Sequence, residues 1–357
     1  MDGSTTTPTL SDVARAAGVS YATADRVINK RGNVADKSIV KVQQAVVTLG
    51  YVRNVAAANL SRGRVYRLAF LIPNSKNAFF DRIRQHIAQI TPHLSGEHVS
   101  VDVIEVAAFA VKGLQENISA LLDRDFDGVA IVGLQSEALE APLAQLRAHG
   151  VAVIGLVSDL PHDFRSAYIG IDNIAAGRTA ARMIGISHAG GAGRVQTFVG
   201  SLDARDHAER LSGFREVLAT DFPQIDLLDP IMTKDNARVV KTKAKAVLAA
   251  QPDLSALYNV GAGNSGLIVA LAEAKAKRPF CVVHELVAHS RQALLDDHID
   301  LVIDQRPDIE INRAVTLLRA LIDEKAQPPT PDLVPTIYVR DNLPTDTQTD
   351  ATKVKNT

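Results

Sequence analysis

Glycines at 261–266 and an acidic residue shortly after them have a spacing that could hold a dinucleotide cofactor. The segment GAGNSG fits the pattern G-x-G-x-x-G, follows a strand-like run and opens the helix-like run LIVALAEA. Glu285 ends the next strand-like run, 22 residues after Gly263. In a nicotinamide-dependent oxidoreductase this loop would approach the pyrophosphate, and the carboxylate would bind the ribose. The same geometry also lets the backbone approach another polar ligand, so both alternatives stay open.

The other reactive residues form no recognisable catalytic or metal-binding pattern. The ten histidines are scattered, and the group of His284, Glu285 and His289 lacks the close ligand spacing of a metal site. No G-x-S-x-G nucleophile motif occurs. Cys281 lies in an apolar run and is expected to be a core residue. We therefore expect no enzymatic activity, no metal and no resident cofactor.

A second group of residues, near the N-terminus, has the spacing of a unit that reads DNA. The segment LSDVARAAGVSYATADRVINKR, residues 10–31, predicts two short helices joined by a turn at Gly18. Ser20 is suited to cap the second helix, which is predicted to run from Tyr21 to Asn29. In a helix-turn-helix, the first residues of the second helix meet base edges in the major groove.

Arg26 is the residue of this helix best suited to donate two hydrogen bonds to a guanine. Tyr21 and Ala22 would face the bases beside it, whereas Ser20 and Thr23 are placed to contact phosphates. The alternative is a three-helix packing module whose polar residues are only solvated. Charge favours DNA binding, because residues 1–67 hold 10 Lys and Arg against 4 Asp and Glu, whereas the rest of the chain holds 29 against 36.

Two kinds of structural element are predicted to position these candidate residues. A third amphipathic helix is predicted from Asp36 to Leu49, with Gly50 ending it. Beyond Arg67, apolar strand-like runs alternate with helices of about 10–15 residues, which favours parallel sheets covered by helices on both faces. The strand-like runs are 67–72, 99–106, 128–133, 151–157, 194–199, 255–260, 280–285 and 300–304. This span is too long for one small sheet, so two similar α/β lobes are expected.

The whole-chain composition is that of a globular protein inside the cell. At 357 residues, with 46% hydrophobic residues, the chain can form about two to three domains. A single cysteine excludes an intramolecular disulfide and suits a reducing compartment. The N-terminus MDGSTTTPTL lacks the features of a secretory signal, and no apolar run could span a membrane. We expect a cytoplasmic protein with no membrane partner.

The head of the chain resembles the lactose repressor (LacI/GalR) family. The resemblance rests on LSDVARAAGVSYATADRVIN, DKS, LGYVRN and NLSRG, and it continues over roughly residues 9–340. It implies a transcriptional regulator, acting as a repressor, whose homodimer reads a pseudo-palindromic operator. It also implies that Asn29 contacts DNA and that Leu60, in a hinge helix at 54–61, enters a minor-groove step. Three residues depart from the family's usual types. Asp25 stands where Ser is usual, Ala35 where Ser or Thr is usual, and Arg53 where Pro is common. Asp25 makes the operator sequence hard to infer.

The rest of the chain resembles the periplasmic sugar-binding proteins that are related to this family's effector domain. The segments NSKNAFF (74–80), RDHAERLSGF (205–214) and IDQRPD (303–308) carry the resemblance. It implies a cleft for a sugar, polyol or sugar acid, which closes on its ligand and thereby alters DNA binding. The residues implied to bind the effector are Asn74, Asn77, Phe79, Phe80, Asp159, Arg205, Arg210, Asn259, Asn264, His284, Glu285 and Gln305.

The expected architecture is an all-α helix-turn-helix domain followed by a two-lobed α/β body of two doubly wound parallel sheets. The predicted boundaries are 8–52 for the DNA-binding domain, 53–66 for the hinge, 67–340 for the effector domain and 341–357 for a disordered tail. Lobe 1 is predicted to contain 67–171 and 306–335. Lobe 2 is predicted to contain 172–305 and 336–340. The alternative function is an NAD-dependent oxidoreductase that uses the GAGNSG loop.

Overall fold

The structure is a computed structural model that describes residues 8–28, 32–51, 65–75, 77–274, 277–324 and 333–345. The chain divides into two compact units, Met1–Arg64 and Val65–Thr357. The predicted contact residues Asn29 and Leu60, and the predicted hinge helix at 54–61, lie outside the described residues.

The described residues of the first unit form three short helices around a small apolar core. They are α1 (Leu10–Ala17), α2 (Tyr21–Ile28) and α3 (Asp36–Leu49). The buried core consists of Val13, Ala14, Ala17, Ala24, Val42 and Ala45. The turn between α1 and α2 requires a left-handed residue, and Gly18 supplies it with φ of 62°.

The ends of these helices follow the sequence closely. Thr9 and Asp12 form a capping box at the start of α1. The Ser20 hydroxyl accepts a hydrogen bond from the Thr23 amide at 3.1 Å, as an N-cap does. Within the described residues Ala35 gives α3 no side-chain cap, and Gly50 ends this helix with φ of 61°.

The second unit consists of parallel strands that alternate with helices. Its strands are β1 (Tyr66–Pro73), β2 (Val99–Val106), β3 (Gly128–Ile131), β4 (Ala152–Leu156), β5 (Ala167–Ile169), β6 (Gly193–Val199), β7 (Ile225–Leu227), β8 (Ile231–Met232), β9 (Ala256–Asn259), β10 (Phe280–His284), β11 (Leu301–Asp304) and β12 (Thr336–Tyr338). Its helices are α4 (Ala78–Gly96), α5 (Val111–Ala120), α6 (Glu140–Ala148), α7 (Asn173–Ser187), α8 (Arg205–Asp221), α9 (Ala237–Ala250), α10 (Asn264–Glu273), α11 (Ala288–Leu295) and α12 (Pro307–Ile322). Short 3-10 helices lie at Leu121–Asp123, Glu137–Leu139, His162–Phe164 and Arg340–Asn342.

The strands form two sheets, which define two lobes. The sheet of lobe 1 has the order β2-β1-β3-β4-β5 and is parallel throughout. The sheet of lobe 2 has the order β12-β11-β10-β9-β6-β7, and β8 also pairs with β6. In lobe 2 the described pairs are parallel except for β12, which runs antiparallel to β11. The predicted fold class is confirmed.

The strands are buried on both faces, which explains their continuous apolar runs. In β1, Leu68, Phe70 and Ile72 belong to a core cluster on one face of the sheet. Ala69 and Leu71 belong to a cluster on the other face, because side chains alternate along a strand. The same alternation in both lobes places helices on both faces of each sheet.

The chain passes between the lobes more than once. After β11 in lobe 2, helix α12 packs against β1, β3 and β4 of lobe 1. The chain then returns to lobe 2, where β12 pairs with β11. These crossings bring the carboxyl ends of the strands of both sheets to the same cleft.

Candidate functional site

A cavity lies between the lobes, where the carboxyl ends of several strands meet. Its lining includes Pro73 and Val106 at the ends of β1 and β2, and Glu285 and Gln305 just beyond β10 and β11. The cavity volume is about 110 Å³. Ligands of α/β sheets bind at this edge, because loops can vary there without disturbing the strands.

Glu285 and Gln305 form a hydrogen-bonded pair in this cavity. The Gln305 amide nitrogen donates to Oε1 of Glu285 at 2.5 Å. Oε2 of Glu285 and Oε1 of Gln305 are buried and have no hydrogen-bond partner among the described residues. Burial raises the pKa of Glu285 to about 8, and the nearby charge of Asp304 contributes to the shift. Glu285 also has a left-handed backbone, with φ of 72°.

Arg210 supplies a buried positive charge to the same cavity. Its side chain extends from α8, and its Nε donates to Oδ1 of Asn173 at 2.8 Å. Its Nη1 donates to the carbonyl oxygen of Val260 at 3.0 Å. Nη2 has no partner in the described part of the chain and remains free to donate to a ligand.

His284 forms part of the wall next to Glu285. Its Nε2 lies 2.7 Å from the hydroxyl of Tyr258, whose ring also packs near the imidazole. Burial and the positive charge of Arg210 lower the pKa of His284 well below its ordinary value, so the ring is neutral. Its Nδ1 is buried and lacks a partner among the described residues.

The glycine-rich loop at 261–266 has a structural explanation. Gly263 has φ of 91°, and a Cβ at Gly266 would lie 1.8 Å from the carbonyl oxygen of Ala237. The Asp235 carboxylate already accepts a hydrogen bond from the Ala262 amide at 2.9 Å. A pyrophosphate would therefore meet a carboxylate at this loop, which disfavours the dinucleotide alternative.

The cavity also contains charged residues that sequence reasoning missed. Asp206 and His207 come from the first turn of α8, and Asp235 comes from the loop after β8. Oδ1 of Asp206 is buried without a partner in the described ranges. His207 Nε2 lies 3.7 Å from Asp206 and 3.9 Å from Asp235. Asp206 could have been found, since it lies four residues before Arg210 and shares its helix face, whereas Asp235 follows a two-residue strand that the sequence did not predict.

Eight of the twelve residues predicted for the effector contribute to the lining. They are Asn77, Phe79, Phe80, Arg210, Asn264, His284, Glu285 and Gln305. Asn77 also caps α4, because its Oδ1 accepts from the Phe79 amide at 3.0 Å. The rings of Phe79 and Phe80 pack edge to face, with centroids 5.2 Å apart.

The other four predicted residues do not line the cavity. Asn74 is exposed beyond the end of β1. Asn259 supports the glycine loop by donating to Oδ1 of Asn264 at 2.6 Å. Asp159 binds Arg165 through both carboxylate oxygens, at 2.5 and 2.6 Å, because a buried carboxylate requires a charged partner. The fourth residue, Arg205, pairs with Asp159 and Glu209.

Arg205 belongs to the contacts that join the two lobes beside the cleft. Its Nη1 lies 3.5 Å from the carboxylate of Asp159 in lobe 1, and its Nε donates to Glu209 at 2.6 Å. The Phe109 ring of lobe 1 lies 6.0 Å from the ring of His207 in lobe 2. These contacts link the two lobes on this side of the cleft.

The N-terminal unit presents the predicted DNA-contacting residues on α2. Tyr21, Ala22 and Arg26 are exposed, and Tyr21 is 57% exposed. The Ser20 hydroxyl lies 2.9 Å from that of Thr23, so both hydroxyls are at the N-terminal end of the helix. This helix end carries a partial positive charge, which suits contact with phosphates.

Neither a metal-binding cluster nor a membrane-spanning helix occurs in the described ranges. There, no group of three or more His, Cys, Asp or Glu side chains is arranged to hold a metal ion. None of the described helices has the length and apolar character needed to cross a membrane.

Both parts of the chain match families of known proteins. Residues 68–326 match the family described as periplasmic binding protein domain, and residues 9–54 match bacterial regulatory proteins, lacI family. HTH-type transcriptional regulator DegA of Bacillus subtilis (strain 168) is 26% identical over 245 residues, which are 67% of this chain and 69% of DegA. HTH-type transcriptional regulator CelR of Thermobifida fusca is 30% identical over 228 residues, which are 59% of this chain and 61% of CelR.

Solved structures show the same fold for the second unit. A solute-binding protein of an ABC transporter from Burkholderia graminis C4D1M, in complex with D-arabinose, has a TM-score of 0.73 and 24% identity. The match covers 80% of this chain and 99% of that protein. A periplasmic solute-binding protein from Actinobacillus succinogenes 130z with bound D-allose has a TM-score of 0.69 and 16% identity over 77% of this chain and 98% of that protein.

Proposed function

The chain belongs to the periplasmic binding protein domain family and carries the DNA-binding unit of the lacI family of regulators, and we propose that its cleft controls transcription. It is a transcriptional regulator of the lacI family. The proposal is that a small polyhydroxyl compound, the effector, binds between the lobes and changes the affinity of the N-terminal unit for an operator. The regulator acts as a repressor and works where the DNA lies, in the cytoplasm.

The observation that carries the proposal is a set of buried polar atoms that converge on one cavity without protein partners. Within the described residues, these atoms include Nη2 of Arg210, Oδ1 of Asp206, Oε2 of Glu285 and Oε1 of Gln305. A buried polar atom left without a hydrogen bond costs about 1–3 kcal/mol, so such groups are rarely left unsatisfied. Hydroxyl groups can satisfy all four, because each hydroxyl both donates and accepts.

Aromatic residues supply the other requirement of a sugar site. Phe79 and Phe80 line the cavity on the side of lobe 1, opposite Arg210 and Glu285 of lobe 2. A sugar ring has an apolar face of C–H groups, which packs against aromatic rings, and a polar rim of hydroxyls. Asn77 and Asn264 are proposed to contact the same rim.

The proposed DNA contacts lie on α2. Tyr21, Ala22 and Arg26 are proposed to read base edges, while Ser20 and Thr23 contact phosphates. Exposure of the first three side chains supports this assignment. The roles of Asn29 and Leu60, which lie outside the described residues, stay predictions from the family resemblance. So do the proposed boundaries of the DNA-binding domain, at 8–52, and of the hinge, at 53–66.

A homodimer is proposed as the form that binds DNA. Two heads related by twofold symmetry would contact two half-sites of a pseudo-palindromic operator. Effector binding would change the arrangement of the lobes, and the hinge would pass this change to the heads.

An enzymatic function is not proposed. The hydrogen bond from the Ala262 amide to Asp235 occupies the donor that a pyrophosphate would need, and the comparisons give no support to an oxidoreductase. Titration of the protein with NAD should produce no saturable binding. Saturable binding of NAD that Glu285→Gln abolishes would restore the enzyme alternative.

The central experiment has two steps. The full-length protein selects duplexes from a random-sequence DNA pool, and the enriched sequence is used as operator in fluorescence anisotropy. D-Arabinose, D-allose, D-glucose and D-galactose are then added in turn. We expect enrichment of an inverted repeat and a change of at least tenfold in operator affinity with one of the sugars. A decrease in operator affinity identifies the sugar as an inducer, and an increase identifies it as a corepressor. Selection of no sequence would contradict the DNA-reading assignment, whereas an operator that responds to none of the sugars would contradict the effector assignment.

A further inference from the structure

Two of the unpartnered polar atoms of the cleft can only accept a hydrogen bond. They are Oδ1 of the Asp206 carboxylate and Oε1 of Gln305. Oε2 of Glu285 belongs to a carboxyl group whose pKa is raised to about 8, so this group can donate its proton at neutral pH and only accepts once it is ionised. In the described residues the other unpartnered atoms of the lining are Nη2 of Arg210, which donates, and the Ser158 hydroxyl and Nδ1 of His284, which can donate or accept. A ligand that satisfies Asp206 must therefore bring a donor to it, as a hydroxyl group does.

The charges around the cavity have the same bias. In the described residues, the carboxyl groups of Asp206, Asp235 and Glu285 line it together with one guanidinium, that of Arg210. Even with His207 protonated, this lining carries no net positive charge. The other two lining histidines, at 284 and 289, have pKa values lowered by burial and add no charge at neutral pH.

The surroundings of the cavity do not compensate for this bias. Asp304 and Glu310 are buried close to Glu285. The charge of Asp304 raises the pKa of Glu285, and the charges of Glu285 and Asp304 raise the pKa of Glu310. Arg82 binds Asp304 at 2.9 Å, so its charge is already partnered. Arg210 donates to Asn173 and Val260, so its guanidinium is also partly committed.

We propose that the effector is a polyhydroxyl compound without negative charge, and that Asp206 is the residue that excludes sugar acids and sugar phosphates. This inference rests on the proposed effector function of the cleft and specifies its ligand class. A neutral sugar donates a hydroxyl hydrogen to Asp206 and accepts from Arg210. A ligand carboxylate can donate nothing to Asp206, and it places a like charge beside the carboxylates of Asp206 and Asp235 in the cavity.

The selectivity also extends to amino sugars. An ammonium group has three donors and no acceptor, so it matches the carboxylate of Asp206. The cleft should therefore accept an amino sugar about as well as the neutral sugar of the same skeleton, or better.

Two matched ligand series test this inference on the full-length protein. One series is D-glucose, D-glucosamine and D-glucuronate, and the other is D-galactose, D-galactosamine and D-galacturonate. Binding is measured by isothermal titration calorimetry and by the shift in thermal unfolding. We expect the uronate of the series that binds to have at least tenfold lower affinity than its neutral sugar, and the amino sugar to be accepted.

Variants identify the residues responsible. Asp206→Asn keeps the side-chain shape and removes its charge, so it should reduce the discrimination against the uronate at least severalfold. Asp206→Glu retains the charge and should retain the discrimination even where overall affinity falls. Asp163→Asn removes a carboxylate that is 89% exposed and does not line the cavity, and it should leave the ratio unchanged.

The possible failures are distinguishable. A uronate that binds as well as its neutral sugar, with a ratio that Asp206→Asn does not alter, would overturn the inference and leave the effector cleft intact. Binding of none of the six compounds, together with an operator affinity that none of them changes, would overturn the proposed effector function and the inference with it.

Discussion

The side chains of Gln305 and Glu285, which follow neighbouring parallel strands, are joined by a hydrogen bond of 2.5 Å. The bond uses one oxygen of the carboxyl group and leaves the other facing the cavity. Gln305 thereby orients Glu285, while its own amide oxygen also lacks a partner among the described residues. Removal of either side chain is therefore expected to disturb the position of the other.

Glu285→Gln and Gln305→Ala should each weaken effector binding about tenfold or more. Gln305→Ala leaves Oε1 of Glu285 without its donor, and Glu285→Gln replaces the oxygen that is free for the effector by an NH2 group that cannot accept a hydrogen bond. A buried group left unpaired in this way costs about 1–3 kcal/mol. Calorimetry with the sugar identified by the anisotropy screen measures the effect. Operator binding without effector should be retained, because the helix-turn-helix belongs to a separate compact unit. Equal loss of operator binding in the effector-free variants would instead indicate a general folding defect.

The stability of the effector-free protein should decrease as the pH rises from about 5 to about 8.5. The pKa of Glu285 is raised to about 8 from an ordinary value of 4.5, so the folded state holds a proton that the unfolded state releases. This contribution is complete below the unfolded value and is lost as the pH passes the folded value. The pKa of Glu310 is raised by burial in the same direction.

Urea unfolding of the parent protein and of Glu285→Gln at several pH values tests this dependence. The variant has no proton to lose at this position, so its free energy of unfolding should fall less steeply and should exceed that of the parent near pH 8.5. The groups that face Glu285 and remain in the variant are Arg82, Arg210, Asp304, Gln305 and Glu310. Parallel curves for the two proteins would show that Glu285 is ionised in the folded state throughout.

Arg26→Ala should reduce specific operator binding by about 1–3 kcal/mol while affecting non-specific binding much less. Arg15→Ala is the matched control, since Arg15 is an exposed arginine of the same unit that pairs with Asp12 at 3.0 Å. Anisotropy titrations against the selected operator and a scrambled duplex measure both affinities. If Arg26→Ala lowers both affinities equally, the side chain contacts phosphate and does not read a base.

Gly266→Ala should destabilise the second unit by about 1–3 kcal/mol, because its Cβ would lie 1.8 Å from the backbone oxygen of Ala237. Backbone cannot move aside as a flexible side chain can, so α9 and α10 would have to separate. Gly113→Ala, where the nearest atom is a Cβ at 3.8 Å, should be neutral or slightly stabilising. Thermal unfolding of both variants measures the difference. Equal stability of the two would mean that the glycine at 266 serves a ligand and not helix packing.

The sequence by itself determined the elements and their order. Helices α1 to α3 and eight of the strands follow from hydrophobic periodicity, capping residues and glycine turns, all of which act over a few neighbouring residues. The four strands that are missing from these runs, β5, β7, β8 and β12, are two or three residues long, too short for a periodic pattern. Glu285 was found from the residues, because it ends the strand that follows the glycine loop, whereas Gln305 was indicated by the family resemblance alone.

The tertiary structure alone decided which polar residues face the cavity and which are paired elsewhere. Asp159 and Arg205 have the residue types of a ligand site, yet they bind Arg165, Glu209 and each other. Asp235, which no sequence pattern indicated, reaches the cavity from a loop after a two-residue strand. A hydrogen bond or ion pair depends on the distance between residues that are far apart in the chain, and local sequence patterns do not contain that distance. The set of buried polar atoms that lack partners in the described cleft is therefore a property of the folded chain.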